Sequence, residues 1–169
     1  MPPTRPALLA LPLLLAAAAP AGAQEAEGWG TGSHMGTDYA GLTNPDGAHL
    51  GVYCAEDIGP QGGASRSGPY VLFSLPRKLS LPAPAAAVTF TVDGKATPVP
   101  MTAEVGEATT GFEWRPGKDF PTEKMKALVE AMRRGKALTV GLAEPAIAEP
   151  FTLAGSGAAL ENILDCGKR

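Results

Sequence analysis

The chain has 169 residues, 17 acidic and 14 basic, for a net charge of −3 at pH 7. No basic stripe runs through it, so a phosphate backbone finds no electrostatic footprint and nucleic acid is excluded as a partner class. The length suits one ordinary domain with a core of its own.

Arg5 is the only charged side chain before Glu25. An apolar run from Ala7 to Ala19 follows it, and then Pro20-Ala21-Gly22-Ala23. A positive start, a short apolar core and small residues at an A-x-A site read as a secretory signal over residues 1–23, cut after Ala23. A membrane anchor would need about 20 predominantly apolar residues, and this run is shorter and contains Pro12. The residue directly after the cut is Gln24, not a cysteine, so a lipid anchor is not expected, nor is stable membrane insertion after cleavage. The expected mature chain, Gln24 to Arg169, carries 17 acidic against 13 basic residues, because only Arg5 is lost.

Residues 24–47 are rich in Gly and read as a flexible arm or a peripheral strand, with Trp29 and Tyr39 as anchors and a turn at Asn44-Pro45-Asp46-Gly47. The main domain is expected over 48–169. His49 to Cys54 alternates with a period of two and reads as a strand. Ile58 to Pro69 is read as a loop, and Tyr70 to Leu75 as a second strand ended by Pro76. Val88, Phe90 and Val92 alternate ahead of Asp93-Gly94, a strong hairpin signal, because both turn positions tolerate φ > 0. Pro98 and Pro100 imply a returning strand that is short or lies at an edge. Met101–Val105 and Gly111–Trp114 are further strand candidates.

The period then changes. Met125, Leu128, Val129 and Met132 form one apolar stripe of a helix over 122–134. Thr122 is expected to cap its start, Arg133 and Arg134 to suit its C-terminal end, and Gly135 to take the left-handed position after it. Ala137–Leu142 reads as a strand, Ala143–Pro150 as a Pro-containing loop and Phe151–Leu153 as a short strand. A short helix, about 157–163, is expected behind a Ser156 cap. Runs of strands with few helices predict a mainly β or α+β domain, antiparallel and sandwich-like.

Cys54 and Cys166 are the only cysteines. An even count in an exported chain reads as a disulfide. Closing so long a loop is worth about 4–5 kcal/mol on the chain-entropy model. A redox pair would sit closer in sequence, and a zinc site needs four ligands.

Searching for chemistry yields no catalytic, metal or cofactor site. Ser65 and Ser67 lie in a Gly-rich segment without the G-x-S-x-G spacing. The two histidines, His34 and His49, are paired with no obvious partner, and His34, Asp38 and His49 match no ligand spacing. Glu104, Glu107 and Glu113 are close in sequence without evidence of facing each other across a cleft. Arg77-Lys78 and Arg133-Arg134-Gly135-Lys136 read as solvated ends of elements. The loops 58–69 and 143–150 are the expected recognition surfaces.

The helix at Met125–Met132, then Gly135, a strand, and Phe151-Thr152-Leu153-Ala154-Gly155-Ser156-Gly157-Ala158-Ala159-Leu160 before Cys166 form a recognisable rhythm. It resembles the end of small bacterial periplasmic proteins of the invasion-associated locus B and type VI secretion-associated accessory kinds. The Val92-Asp93-Gly94 hairpin is similar in style. The resemblance spans Val88 to Cys166 and implies a β-sandwich-like, non-enzymatic periplasmic protein.

The sequence thus predicts an exported, non-catalytic periplasmic or secreted module that binds an envelope or extracellular macromolecule, a protein or a cell-wall component. A peptidoglycan-hydrolase inhibitor is one such form. Two other readings stand beside it. One is a small secreted hydrolase built on His49 with Ser65 or Ser67, and the other is a structural subunit of an envelope assembly.

Overall fold

The structure, a computed structural model, describes residues 28–34, 37–58 and 64–165. The expected signal segment, Cys166 and the side chains of His34, Ser65 and Ser67 lie outside the described residues.

Nine antiparallel strands form one sheet: β1 (Gly30–His34), β2 (Thr37–Thr43), β3 (His49–Ile58), β4 (Ala64–Leu75), β5 (Ala85–Val92), β6 (Lys95–Val105), β7 (Thr110–Trp114), β8 (Ala137–Leu142) and β9 (Ile147–Thr152). Helix α1 (Thr122–Arg134) joins β7 to β8, and α2 (Ser156–Leu164) follows β9. The order across the sheet is β1-β2-β3-β4-β7-β6-β5-β8-β9. The mainly β fold with one long and one short helix is therefore the fold class that the periodicities predict.

Alternation explains the curl. Leu50, Val52, Val71, Phe73, Val88, Phe90, Val99, Met101, Phe112, Trp114, Leu138 and Val140 all point to one face and are buried. A sheet with one continuous apolar face buries it by bending around it. The bend brings β9 back over β4, where Phe73 and Phe151 meet edge to face with ring centroids 6.3 Å apart. Met125, Leu128, Val129 and Met132 of α1 and Ala159, Leu160 and Ile163 of α2 complete the core.

Several expectations need correction. Of the two readings of 24–47, the peripheral strand is the one seen: β1, at the sheet's edge, and β2 both fall there, so the sheet begins before residue 48. Much of the expected loop at 58–69 belongs to β4, which starts at Ala64. The expected loop at 143–150 is a short turn, and β9 begins at Ile147. β6 is long, not short, but Lys95–Met101 pairs with β5 alone; β7 joins only from Thr102. Pro98 and Pro100 thus sit where β6 is locally an edge, which is where a missing N–H is tolerated.

Helix ends also differ from the reading. Pro121, in extended conformation, occupies the N-cap of α1, and Thr122 is the first helical residue. Gly135 has φ −78° and ψ 175°, so it is not left-handed. Its reason for being glycine is space: a Cβ there would stand 2.7 Å from Val92 Cγ1 and 2.8 Å from Leu153 Cδ1. Gly155, at φ 84°, caps α2. Ser156 instead points its hydroxyl at the carbonyls of Met132 (2.9 Å) and Leu153 (2.8 Å), tying α2 to the end of α1.

The Asp93-Gly94 hairpin forms as read. Val92 pairs with Lys95, and both turn residues have positive φ, 46° and 84°.

Candidate functional site

Among the cavities of the described residues, two differ sharply in their polar chemistry.

The first is the seam where β9 returns to the β2–β3 turn. Its cavity, about 660 Å³, is lined by Leu42, Thr43, Asn44, Pro45 and Pro150 to Thr152. Polar groups here answer one another. Glu149, buried on β9, accepts from Arg77 Nη2 at 2.5 Å and from Asn44 Nδ2 at 3.2 Å. Asn44 Nδ2 is also 3.2 Å from the Pro150 carbonyl, and its Oδ1 accepts from the Ala48 N–H at 2.8 Å. Trp29 donates its indole N–H to the Thr152 carbonyl at 3.0 Å. The outer edge of β9 is therefore blunted. Its carbonyls at 150 and 152 are taken by side chains, and Pro150 brings no N–H.

The second is a bay between α1 and the β5–β6 hairpin, about 500 Å³ in volume. That lies within the ~300–1,000 Å³ range of small-molecule sites. Its floor is Val92, Phe120 and Leu128, all buried. Ala127 and Ala131 on α1, and Gly135 just past its end, at spacing four, keep one wall low. Lys95 on β6 and Lys124 and Arg134 on α1 stand at the rim.

Asp93 also lines the bay, but its carboxylate is committed to the scaffold. It accepts from the Ala137 N–H at 3.0 Å and the Lys136 N–H at 3.1 Å. Those backbone hydrogen bonds hold its pKa below the ordinary value. Glu130, next to the rim, is shared by two arginines. Arg133 binds it in bidentate fashion at 2.7 and 2.9 Å, and Arg134 pairs with the same group. The Arg133 hydrogen bond, with both arginine charges, pulls Glu130 down to about 2. Lys124 Nζ donates to the Asp119 carbonyl at 3.2 Å and stands 5.9 Å from the centre of the Phe120 ring. Neither Lys95 nor Lys124 pairs with a carboxylate among the described residues.

On the outer face of the sheet all three tyrosines of the chain form a ladder. Tyr39 is opposite Tyr53 on β3, and Tyr53 is opposite Tyr70 on β4. Their ring centroids are 5.7 and 4.9 Å apart. Tyr39 leans over Gly32 and Tyr53 over Gly51, where a Cβ would collide with each ring. Burial, then the neighbouring phenol, raises the Tyr53 pKa; burial, Tyr53 and Glu113 raise that of Tyr70 against the pull of Arg115.

The residues singled out in the sequence are scattered. His49 is half-buried, with Nδ1 3.0 Å from Thr43 Oγ1, and burial lowers its pKa. It pairs with Ser74, whereas Ser65 pairs with Asp57. That places the backbones of His49 and Ser65 eight residues apart along β3, roughly 26 Å at about 3.3 Å per residue. The strand register does not bring the proposed hydrolase pair together. Among the described residues no three His, Cys, Asp or Glu side chains are grouped to hold a metal. Glu113 is engaged by Arg115 at 2.5 Å, and Glu104 pairs across from Gly111 two register positions away on the convex face. Arg77, read as a solvated end, is instead the partner of buried Glu149. Cys54 is buried on β3.

Sequence reasoning missed the bay, the seam and the ladder. Only the bay left a trace: Lys124, Ala127, Ala131 and Arg134 recur every three or four residues beside the apolar stripe of α1.

The family model described as YfjT matches residues 27–160, from just before β1 into α2. This match carries no link to the invasion-associated locus B or type VI secretion accessory proteins. No curated protein and no solved structure matches the chain. Among the described residues no helix is long and apolar enough to cross a membrane.

Proposed function

From the premise that the chain belongs to the YfjT family, we propose that it is an exported, non-catalytic binding module of the cell envelope, with the bay between α1 and the β5–β6 hairpin as its ligand site. The observation that carries this reading is the bay itself: an apolar floor with three cations at its rim, of which Lys95 and Lys124 pair with no carboxylate among the described residues. A rigid β scaffold with one helix laid against it supports such a site without moving parts. In this reading residues 1–23 are removed on export, and Cys54 and Cys166 close the mature chain. The Tyr39–Tyr53–Tyr70 face is where an envelope protein or cell-wall component would rest.

Cell fractionation of the full-length protein, with N-terminal sequencing and thiol titration, tests export. A periplasmic or secreted species starting at Gln24 with no titratable thiol is expected. An intact Met1 in the cytosolic fraction, with both thiols free, would refute it. Equilibrium dialysis of that species against envelope extract, followed by mass spectrometry, tests binding. A retained compound that is lost from the bay-filled variant Ala127→Leu/Ala131→Leu supports the reading. Turnover of the compound would overturn the non-catalytic part.

A further inference from the structure

We propose that the bay takes a single-chain amphiphile with an anionic headgroup, a fatty carboxylate or an alkyl phosphate. The inference rests on the bay being the binding site and names what fits it.

Charge comes first. The protein as a whole is acidic, at −3. The bay reverses that sign. Lys95, Lys124 and Arg134 line it. Against these three cations stand two carboxylates, Asp93 in the bay and Glu130 beside it, and both are already occupied by backbone N–H groups or by the guanidinium groups of Arg133 and Arg134. Lys95 and Lys124 are exposed at the mouth without a carboxylate partner among the described residues; Lys124 meets only the Asp119 carbonyl and the Phe120 ring, which leave its charge unneutralised. Two ammonium groups whose charge no carboxylate cancels, over a low-dielectric floor, favour an anion more than the same groups on an open surface.

The floor decides what the anion is attached to. A small hydrated ion would meet Lys95 and Lys124 but gain nothing from Val92 and Leu128. An aromatic ligand has no free ring to stack on, because Phe120 already has Lys124 near its ring and Trp114 edge to face at 6.1 Å. What remains on the floor and low wall is aliphatic: Val92, Leu128, Ala127 and Ala131. An alkyl chain laid along α1 over the two alanines removes this surface from water at about 25 cal/mol per Å². The headgroup then lies among Lys95, Lys124 and Arg134. Arg134 holds Glu130 through Nη2, and its remaining N–H groups can add to the headgroup's hydrogen bonds.

The test is isothermal titration of the mature protein, below the micelle concentration, with five probes: decanoate, decyl phosphate, decyl maltoside, decyltrimethylammonium and inorganic phosphate. Co-sedimentation with phosphatidylglycerol vesicles is a sixth arm. One or both of decanoate and decyl phosphate should bind at least about tenfold tighter than the other soluble probes, a factor that corresponds to about 1.4 kcal/mol. Preference between those two separates a carboxylate from a phosphate source. Lys95→Gln/Lys124→Gln should weaken the anionic probe by about tenfold or more and leave its salt dependence shallower. Ala127→Leu/Ala131→Leu places good helix formers at exposed helix positions, so it should fold normally and lose the chain. Equal binding of decyl maltoside, or tight binding of inorganic phosphate alone, would overturn the anionic-amphiphile assignment. Binding of a cationic or neutral probe that the filled variant abolishes would overturn the ligand class while leaving the bay as the site. Binding that the filled variant does not affect would overturn both. Vesicle binding without monomer binding would show a membrane surface instead, and would likewise overturn the assignment.

Discussion

The seam and the bay are built from similar materials and use them in opposite ways. Both set cationic side chains, a carboxylate and strand ends around a cavity. At the seam every charged or amide group has a partner inside the fold: Glu149 has Arg77 and Asn44, and Asn44 also holds Ala48 and Pro150. At the bay the carboxylates are spoken for, and two lysines have no carboxylate to pair with among the described residues. The larger cavity is therefore the structural one. Cavity size is a poorer guide to function here than whether the polar groups around it are already satisfied.

Removing a charge should separate the two regions most sharply. Glu149 is 7% exposed and Arg77 45% exposed, so Arg77→Met strands a buried carboxylate that water reaches only in part. The expected loss is about 2–3 kcal/mol, below the ~3–5 kcal/mol of a fully buried pair. A melting point lower by roughly 4–12 °C would register it. Adding Glu149→Gln should recover part of the loss, because Gln still accepts from Asn44. Lys95→Gln and Lys124→Gln at the bay should each stay within about 0.5 kcal/mol. Equal destabilisation by the lysine and arginine variants would erase the distinction.

Gly135 stands between the bay and the core, and its replacement tests how tightly α1 is pressed onto the sheet. A valine there would collide with Val92 and Leu153. Overpacking of this kind costs about 1–3 kcal/mol. Denaturant unfolding should show a lower midpoint with an unchanged slope. A wild-type midpoint would mean that α1 yields, and the bay could then widen around a ligand.

Both regions were hard to read in the sequence, for one reason: each is made by register and curl, not by neighbours along the chain. Strands whose buried residues alternate were legible, as in Val88, Phe90 and Val92 ahead of Asp93-Gly94. So was α1, whose stripe is local. β1 was not, because Gly30-Thr31-Gly32-Ser33 lacks an apolar face; Gly32 serves as a seat for the Tyr39 ring. β9 was read as a loop up to Pro150, yet that proline sits at a free edge where its missing N–H costs nothing. The bay joins Lys95 to Lys124 and Arg134 only after β5 and β6 fold back against α1. No spacing in the chain announces that meeting.

Ser156 offers a smaller test of how α2 holds the end of α1. Its hydroxyl serves the Met132 carbonyl, one of the last in α1 and without an intrahelical partner of its own. Ser156→Ala should cost about 1 kcal/mol. Faster amide exchange should follow in the first turn of α2 and leave the β5–β6 hairpin unchanged. Exchange spreading to the hairpin would mean that the bay depends on this tether.

The smallest expected effect is a pH dependence at the seam. His49 faces Thr43, which lines the seam cavity, and burial lowers its pKa from 6.5. The unfolded chain therefore takes up a proton at this residue before the folded one does. Stability from neutral His49 is full above pH 6.5 and is lost as pH falls through the lowered folded value. Asp93 and Glu130 are also held below their ordinary values, so their contributions are lost at still lower pH, that of Glu130 on the way to about 2. Between pH 7 and 5, a His49→Gln variant should then show a flatter stability profile than the wild type. The two profiles should run parallel above pH 7. A wild-type slope that survives the substitution would remove His49 from the account and place the titrating group elsewhere in the chain.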